Sequence, residues 1–180
     1  SANNYARVML SSNQSNPGEA FDGYYLQFGE AGGEDAIELF KQENGETSSI
    51  LRGTTGQIAS SFALWVKVIR TEQGDWQLLT DATGTGIYTL EASGFDESMN
   101  PGGWFGFFAQ YTVSNSTKFY FDNVYAGPEQ IDDEAPKLIQ TTTLNPFELQ
   151  LTFDEGVAPE SLNTENFLAD NNLGNPAEVS

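Results

Sequence analysis

Neither cysteine nor histidine occurs among the 180 residues, and only 7 Lys plus Arg stand against 26 Asp plus Glu. Without histidine, the commonest general base and zinc ligand are gone, which excludes Ser-His-Asp hydrolases and zinc hydrolases. Without cysteine there is no disulfide from which a redox compartment could be read. The formal net charge of −19 repels nucleic-acid phosphates and anionic lipid headgroups, so no nucleic-acid partner is expected. No apolar run reaches the length of a membrane span, and no basic start followed by an apolar stretch marks a signal peptide, so no membrane insertion is expected. Helix signals are also scarce before residue 158.

Short alternating runs are abundant instead. They are separated by Gly, Asn, Asp and Pro every 10 to 15 residues or so, the pattern of an antiparallel sandwich. The alternation predicts nine strands: 5–11, 23–29, 36–42, 48–53, 62–71, 75–81, 86–92, 103–112 and 118–126. Between them, "EQGD" and "DATGTG" supply residues that tolerate positive φ, as tight hairpins require. The irregular "SGFDESMNPGG" is a longer loop. "GPEQIDDEAP", residues 128–136 with the preceding Gly127, is acidic, bounded by Pro and poor in core residues, and reads as a linker. Two further strands, 137–142 and 147–153, follow it. "APESLNTENF" then predicts one helical turn after Pro159, with Ser161 or Asn163 as its cap.

Period-two alternation assigns faces. If Ala6, Val8, Leu10, Tyr24, Leu26, Phe28, Ile37, Leu39, Leu64, Val66 and Val68 point into the core, then Arg7, Tyr25, Gln27, Glu38, Phe40, Trp65 and Lys67 point away from it. Flat aromatic rings beside directed donors and acceptors suit a sugar, whose C–H face stacks while its hydroxyls are hydrogen-bonded. Arg7, Tyr25, Gln27, Glu38, Trp65 and Lys67 are therefore the candidate ligand-binding residues, with a glycan or glycoprotein as partner. The same residues also fit a plainer pattern of cross-strand charge pairs and aromatics packed under a loop.

Three other kinds of chemistry can be weighed. The surplus of negative charge favours cation binding, and Asp132, Asp133 and Glu134 in the linker are candidate ligands for an interdomain Ca2+, since hard cations take several carboxylate oxygens. Asp96 and Glu97 in "FDES" form a weaker candidate, and no EF-hand loop is present. A glycosidase needs two carboxyl groups about 5 to 9.5 Å apart. In "GGEDAIEL", Glu34 and Glu38 on one strand would be about 13 Å apart, with Asp35 on the opposite face. No catalytic residue is assigned, and an enzyme is not expected. In "KFYFDNVYAG", alternation puts Asp122 and Asn123 on opposite faces, which predicts a structural end to the strand and not a ligand site.

The segments "NYARVMLSS", "FDGYYLQFGEAGGEDAIELFKQENG", "ILRGTTG" and "FGFFAQYTVSNSTKFYFDNVYAG" together resemble a concanavalin A-like or laminin G-like jelly roll over residues 3–127. "DDEAPKLIQTTTLNPFELQLTFDEGVAPESLNTENFLADN" is similar to bacterial Ig-like domains. The resemblance implies a jelly-roll β-sandwich over residues 1–127 lacking its first strands, a linker over 128–136, and part of an Ig-like sandwich over 137–180. It further implies a long multidomain bacterial protein, secreted or held on the outer cell surface by a type IX-like route. Its other domains and the secretion machinery would then be partners, and its role would be adhesion or glycan recognition. The competing expectation is a structural stalk or exported cargo segment with no small ligand.

Overall fold

The computed structural model describes residues 4–98, 102–130, 133–170 and 173–180. The protein is all-β and its sheets are antiparallel. It divides into two compact units, Ser1–Ala82 with Tyr88–Glu129, and Thr83–Ile87 with Gln130–Ser180.

Among the described residues the first unit holds eight strands: β1 (Tyr5–Ser12), β2 (Gly23–Phe28), β3 (Ile37–Glu43), β4 (Glu46–Arg52), β5 (Trp65–Arg70), β6 (Asp75–Asp81), β7 (Thr89–Phe95) and β8 (Trp104–Gln110). Five of them form one sheet in the order β4-β3-β2-β1-β8, and three form a second in the order β5-β6-β7. The turns follow residue type. Asn44 and Gly45 both take positive φ between β3 and β4, the two-residue turn whose twist matches antiparallel strands. Gly74 does so between β5 and β6, and its N–H donates to the Thr71 carbonyl at 3.2 Å.

The two sheets share one apolar core. Tyr24, Leu26, Ile37, Leu39 and Leu51 from the larger sheet meet Trp76 and Leu78 from the smaller, with Ile58 from the connection between β4 and β5. Val8, Leu10, Phe28, Leu64, Val66 and Val68 pack around this set, so the inward face has the composition that alternation predicts. At one end the sheets come close through Gly94 of β7. A Cβ there would lie 2.4 Å from the Ile50 carbonyl oxygen of β4, so only glycine permits the approach.

The segment 118–126 is not a strand. It follows a short 3-10 turn, Val113–Asn115, and among the described residues it pairs with no strand. Asn123 has φ of 51°, in the left-handed region, and its N–H donates to the Asp122 carboxylate at 2.8 Å. That local hydrogen bond turns the chain where an extended run was expected, because Asx side chains compete with ladders for backbone donors. The Asp122–Asn123 pair is thus a turn device.

In the second unit, β9 (Leu138–Asn145) pairs antiparallel with β10 (Glu148–Phe153). The helical turn expected after Pro159 is two 3-10 turns, Pro159–Ser161 and Thr164–Asn166. Asn163 caps the second, its side chain accepting from the N–H groups of Glu165 and Asn166. Ser161 lies inside the first turn. Among the described residues no side chain of this unit is buried.

Candidate functional site

The register places Arg7, Gln27, Glu38 and Arg52 directly opposite one another across β1, β2, β3 and β4, on the face turned away from the core. Arg7 Nε donates to Gln27 Oε1 at 3.0 Å, and Gln27 Nε2 donates to the Gly29 carbonyl at 3.2 Å. Arg52 is bound to both Glu38 and Glu30, and its Nη2 also donates to the Glu34 carbonyl at 3.1 Å. Its hydrogen bond to Glu30 holds the guanidinium pKa above the ordinary value, against the penalty of burial and with help from Glu38. The row thus holds two bonded pairs, Arg7 with Gln27 and Arg52 with Glu38.

Tyr25 and Phe40 occupy the next row of that face, and their rings stack at 5.3 Å. The face is covered there. Phe21, from the connection between β1 and β2, meets the Tyr25 ring edge-on at 5.9 Å, and together with Met9 they form a second small core. Tyr25 is 2 % exposed, and burial raises its pKa although the Arg7 guanidinium, 4.6 Å from its ring, opposes the rise. The covering connection is pinned by Asp22, whose carboxylate accepts from the Asn44 N–H at 2.7 Å, while its own N–H donates to Asn13 Oδ1 at 2.8 Å.

Trp65 and Lys67 are elsewhere. Both lie on β5, in the other sheet, so the six candidate residues do not form one surface. Arg7, Tyr25, Gln27 and Glu38 share one outward face, and Trp65 and Lys67 share the outward face on the far side of the core. Trp65 is 47 % exposed. Lys67 Nζ sits 2.8 Å from Glu129 and 5.9 Å from the centre of the Tyr88 ring, a cation–π contact. Tyr88 was not among the sequence candidates; it falls inside the predicted run 86–92 but in the structure it precedes β7. Arg52 could have been found, since it is the cation opposite Glu38 on the neighbouring strand.

Of the candidate cation ligands, Asp132 lies outside the described residues. Asp133 is exposed, and Glu134 pairs with Lys137 at 2.6 Å. Among the described residues no group of three or more acidic side chains converges on a point. Asp96 is occupied otherwise. Burial works against its charge, but the Ser98 hydroxyl and N–H donate to it and the Lys41 ammonium lies 3.7 Å away, so its pKa is lowered. Lys41 in turn has a raised pKa, held up by its hydrogen bond to Glu43 at 2.8 Å against the cost of burial.

No protein-family model matches the chain, and neither does any curated protein or solved structure.

Proposed function

We propose that the chain is a non-catalytic recognition module of a secreted or cell-surface multidomain bacterial protein, and that it binds glycan on the outward face of the β5-β6-β7 sheet. In this reading Trp65 is the stacking platform for a sugar ring. Lys67 and the Tyr88 hydroxyl supply hydrogen bonds beside it, and the second unit is a spacer. The observation that carries the proposal is the contrast in exposure between the two candidate aromatics. Trp65 stands half exposed beside a cation on the same face, whereas Tyr25 is sealed under Phe21. A sugar needs an accessible ring with directed polar groups at its edge.

A structural stalk or exported segment with no small ligand is the second reading. It draws support from the Arg7–Gln27–Glu38–Arg52 row, which leaves few directed groups for a ligand on the larger sheet. Affinity electrophoresis against a panel of polysaccharides separates the two. Retardation that Trp65→Ala abolishes supports glycan recognition, and no retardation on any of them supports the stalk. Hydrolysis of a β-glucan, lost on a single Glu→Gln change, would overturn both.

A further inference from the structure

Asn44 and Gly45 are the chain's one Asn-Gly pair, and they make up the whole turn between β3 and β4. Both are exposed. Among the described residues the hydrogen bond at Asn44 is that of its N–H to Asp22 Oδ1 at 2.7 Å, so its carboxamide is left unbonded, and so is the Gly45 N–H. No atom lies within 4 Å of where a Cβ on Gly45 would stand, so the nitrogen is uncrowded.

Other asparagines that precede small hydroxyl residues are held. Asn115 Nδ2 donates to Asn4 Oδ1 at 3.2 Å and to Thr112 Oγ1 at 2.9 Å, and the N–H of Ser116 after it donates to the Val113 carbonyl at 3.4 Å. Asn163 Oδ1 accepts from the N–H groups of Glu165 and Asn166 at 3.1 and 3.2 Å. At Asn44 both reacting groups are free.

The chemistry open to such a pair is ring closure. Gly45 N, deprotonated by hydroxide, adds to Asn44 Cγ; the N–Cγ bond forms, the Cγ–Nδ2 bond breaks, and ammonia leaves after Nδ2 takes a proton from water. Water then opens the succinimide at either carbonyl. The products are aspartate and its isoaspartyl isomer, whose main chain runs through Cβ and Cγ, with one water consumed, one ammonia released and nothing oxidised. Asn44 sits at φ of 53°, and attack needs rotation of its backbone out of the turn. That opening is local, because β4 is an edge strand whose first four residues, Glu46, Thr47, Ser48 and Ser49, are exposed.

We propose that Asn44 is a site of spontaneous deamidation in the folded protein, and that the conversion releases the connection between β1 and β2 from the turn. The new carboxylate shares a hollow with Glu43, Glu46 and Lys41, and the Asn44 N–H bonds the carboxylate of Asp22. Lys41 does not offset it, since that ammonium is paired with Glu43 and lies 3.7 Å from Asp96. Like charges therefore crowd the turn. The isoaspartyl product also lengthens the main chain of a two-residue turn that sets Glu43 opposite Glu46. Asp22 then loses its hold, and Phe21 beside it loosens over Tyr25.

The test incubates the 180-residue chain at mildly alkaline pH, folded and in guanidinium chloride, and follows each asparagine by proteolysis and mass spectrometry. Residues 42–52, released by cleavage after Lys41 and Arg52, contain Asn44 as their one asparagine. This peptide should gain the mass difference between NH2 and OH and split into two chromatographic forms, aspartyl and isoaspartyl. Folding should slow the change at Asn115 and Asn163 at least tenfold more than at Asn44. Incubated folded protein should exchange the amides of residues 21–25 at least tenfold faster than fresh protein, with exchange in β6 still slow. Asn44→Gly, which keeps a residue suited to positive φ, should show neither change after the same incubation. An unmodified Asn44 in the folded chain, or one slowed by folding as much as Asn115 and Asn163, overturns the site. Converted protein with unchanged exchange at residues 21–25 overturns the release. Glycan retardation through Trp65, on the other sheet, is read separately and survives or fails independently.

Discussion

Arg52 of β4 stands opposite Glu38 of β3, with Nη1 2.7 Å from Oε2, and the same guanidinium reaches Glu30 ahead of β3. Both partners are largely shielded, so the pair lies between a solvated surface bridge and a buried one. Arg52→Ala leaves two carboxylates facing each other without a cation and should lower the unfolding free energy by about 2 kcal/mol. Arg52→Ala with Glu38→Gln should recover part of that loss, because the uncompensated charge is gone. Arg52→Lys should restore less than half, since an ammonium cannot bridge two carboxylates as a planar fork does. Urea titration of the three variants checks the order.

Phe21 closes the outward face over Tyr25, so truncating it has two separable effects. Phe21→Ala removes a ring from a small core and should cost about 3 kcal/mol, at the low end for Phe→Ala because the site is near solvent. It also opens Tyr25 to water. Burial raises the Tyr25 pKa above its ordinary value of 10.0, so in the variant the phenol should titrate at lower pH than in the parent. Ultraviolet titration of the phenolate reads this directly. In the parent, the stability linked to the neutral phenol is complete below pH 10 or so and falls as the pH rises through the elevated pKa.

Gly94 sets how closely β7 approaches β4. A methyl group added there meets the Ile50 carbonyl oxygen at 2.4 Å, and that atom is strand backbone, at the bulge between Ser49 and Leu51, which cannot swing aside as a side chain would. Gly94→Ala should destabilise by about 1–3 kcal/mol as an overpacking change, whereas Gly103→Ala, with open space at its Cβ position, should be close to neutral. Thermal unfolding of the two variants side by side tests the contrast.

Alternation was legible wherever a strand has two sheet neighbours or a covered face. β1, β2, β3, β5, β6 and β8 overlap their predicted runs closely, and the inward residues of β2 and β3 are the core. β7 begins at Thr89, three residues after the predicted Gly86, because the Gly-rich turn extends further than its composition suggests. The run 118–126 failed for a different reason. Alternation reports which face a strand would bury, but a ladder also needs a neighbouring edge, and here Asp122 captures the Asn123 N–H instead. The same limit divided the candidate site. Alternation set Trp65 and Lys67 outward correctly, yet nothing local says that β5 belongs to the other sheet. Likewise the burial of Tyr25 depends on Phe21, four residues earlier on a connection whose path no periodicity describes.

The Lys41–Asp96 pair makes the pH dependence specific. Asp96 has a pKa below its ordinary value of 3.8, so its contribution is complete above pH 3.8 and is lost as the pH falls through the lower folded value. Lys41 has a pKa above its ordinary 10.5, so its contribution is complete below pH 10.5 and is lost as the pH rises through the higher folded value. Between those limits both groups are charged in the folded and the unfolded chain, and the stabilisation is flat. Asp96→Asn should therefore be less stable than the parent by about 1.5 kcal/mol at pH 7, the scale of a hydrogen-bonded charged group. The difference should shrink below pH 3.8 as the parent's carboxylate protonates. Lys41→Met should show the mirror pattern, with its deficit shrinking above pH 10.5. Chemical unfolding at pH 2.5, 5, 7 and 11 measures both curves. A deficit for Asp96→Asn that stayed constant down to pH 2.5 would mean that Asp96 acts through shape and not through charge.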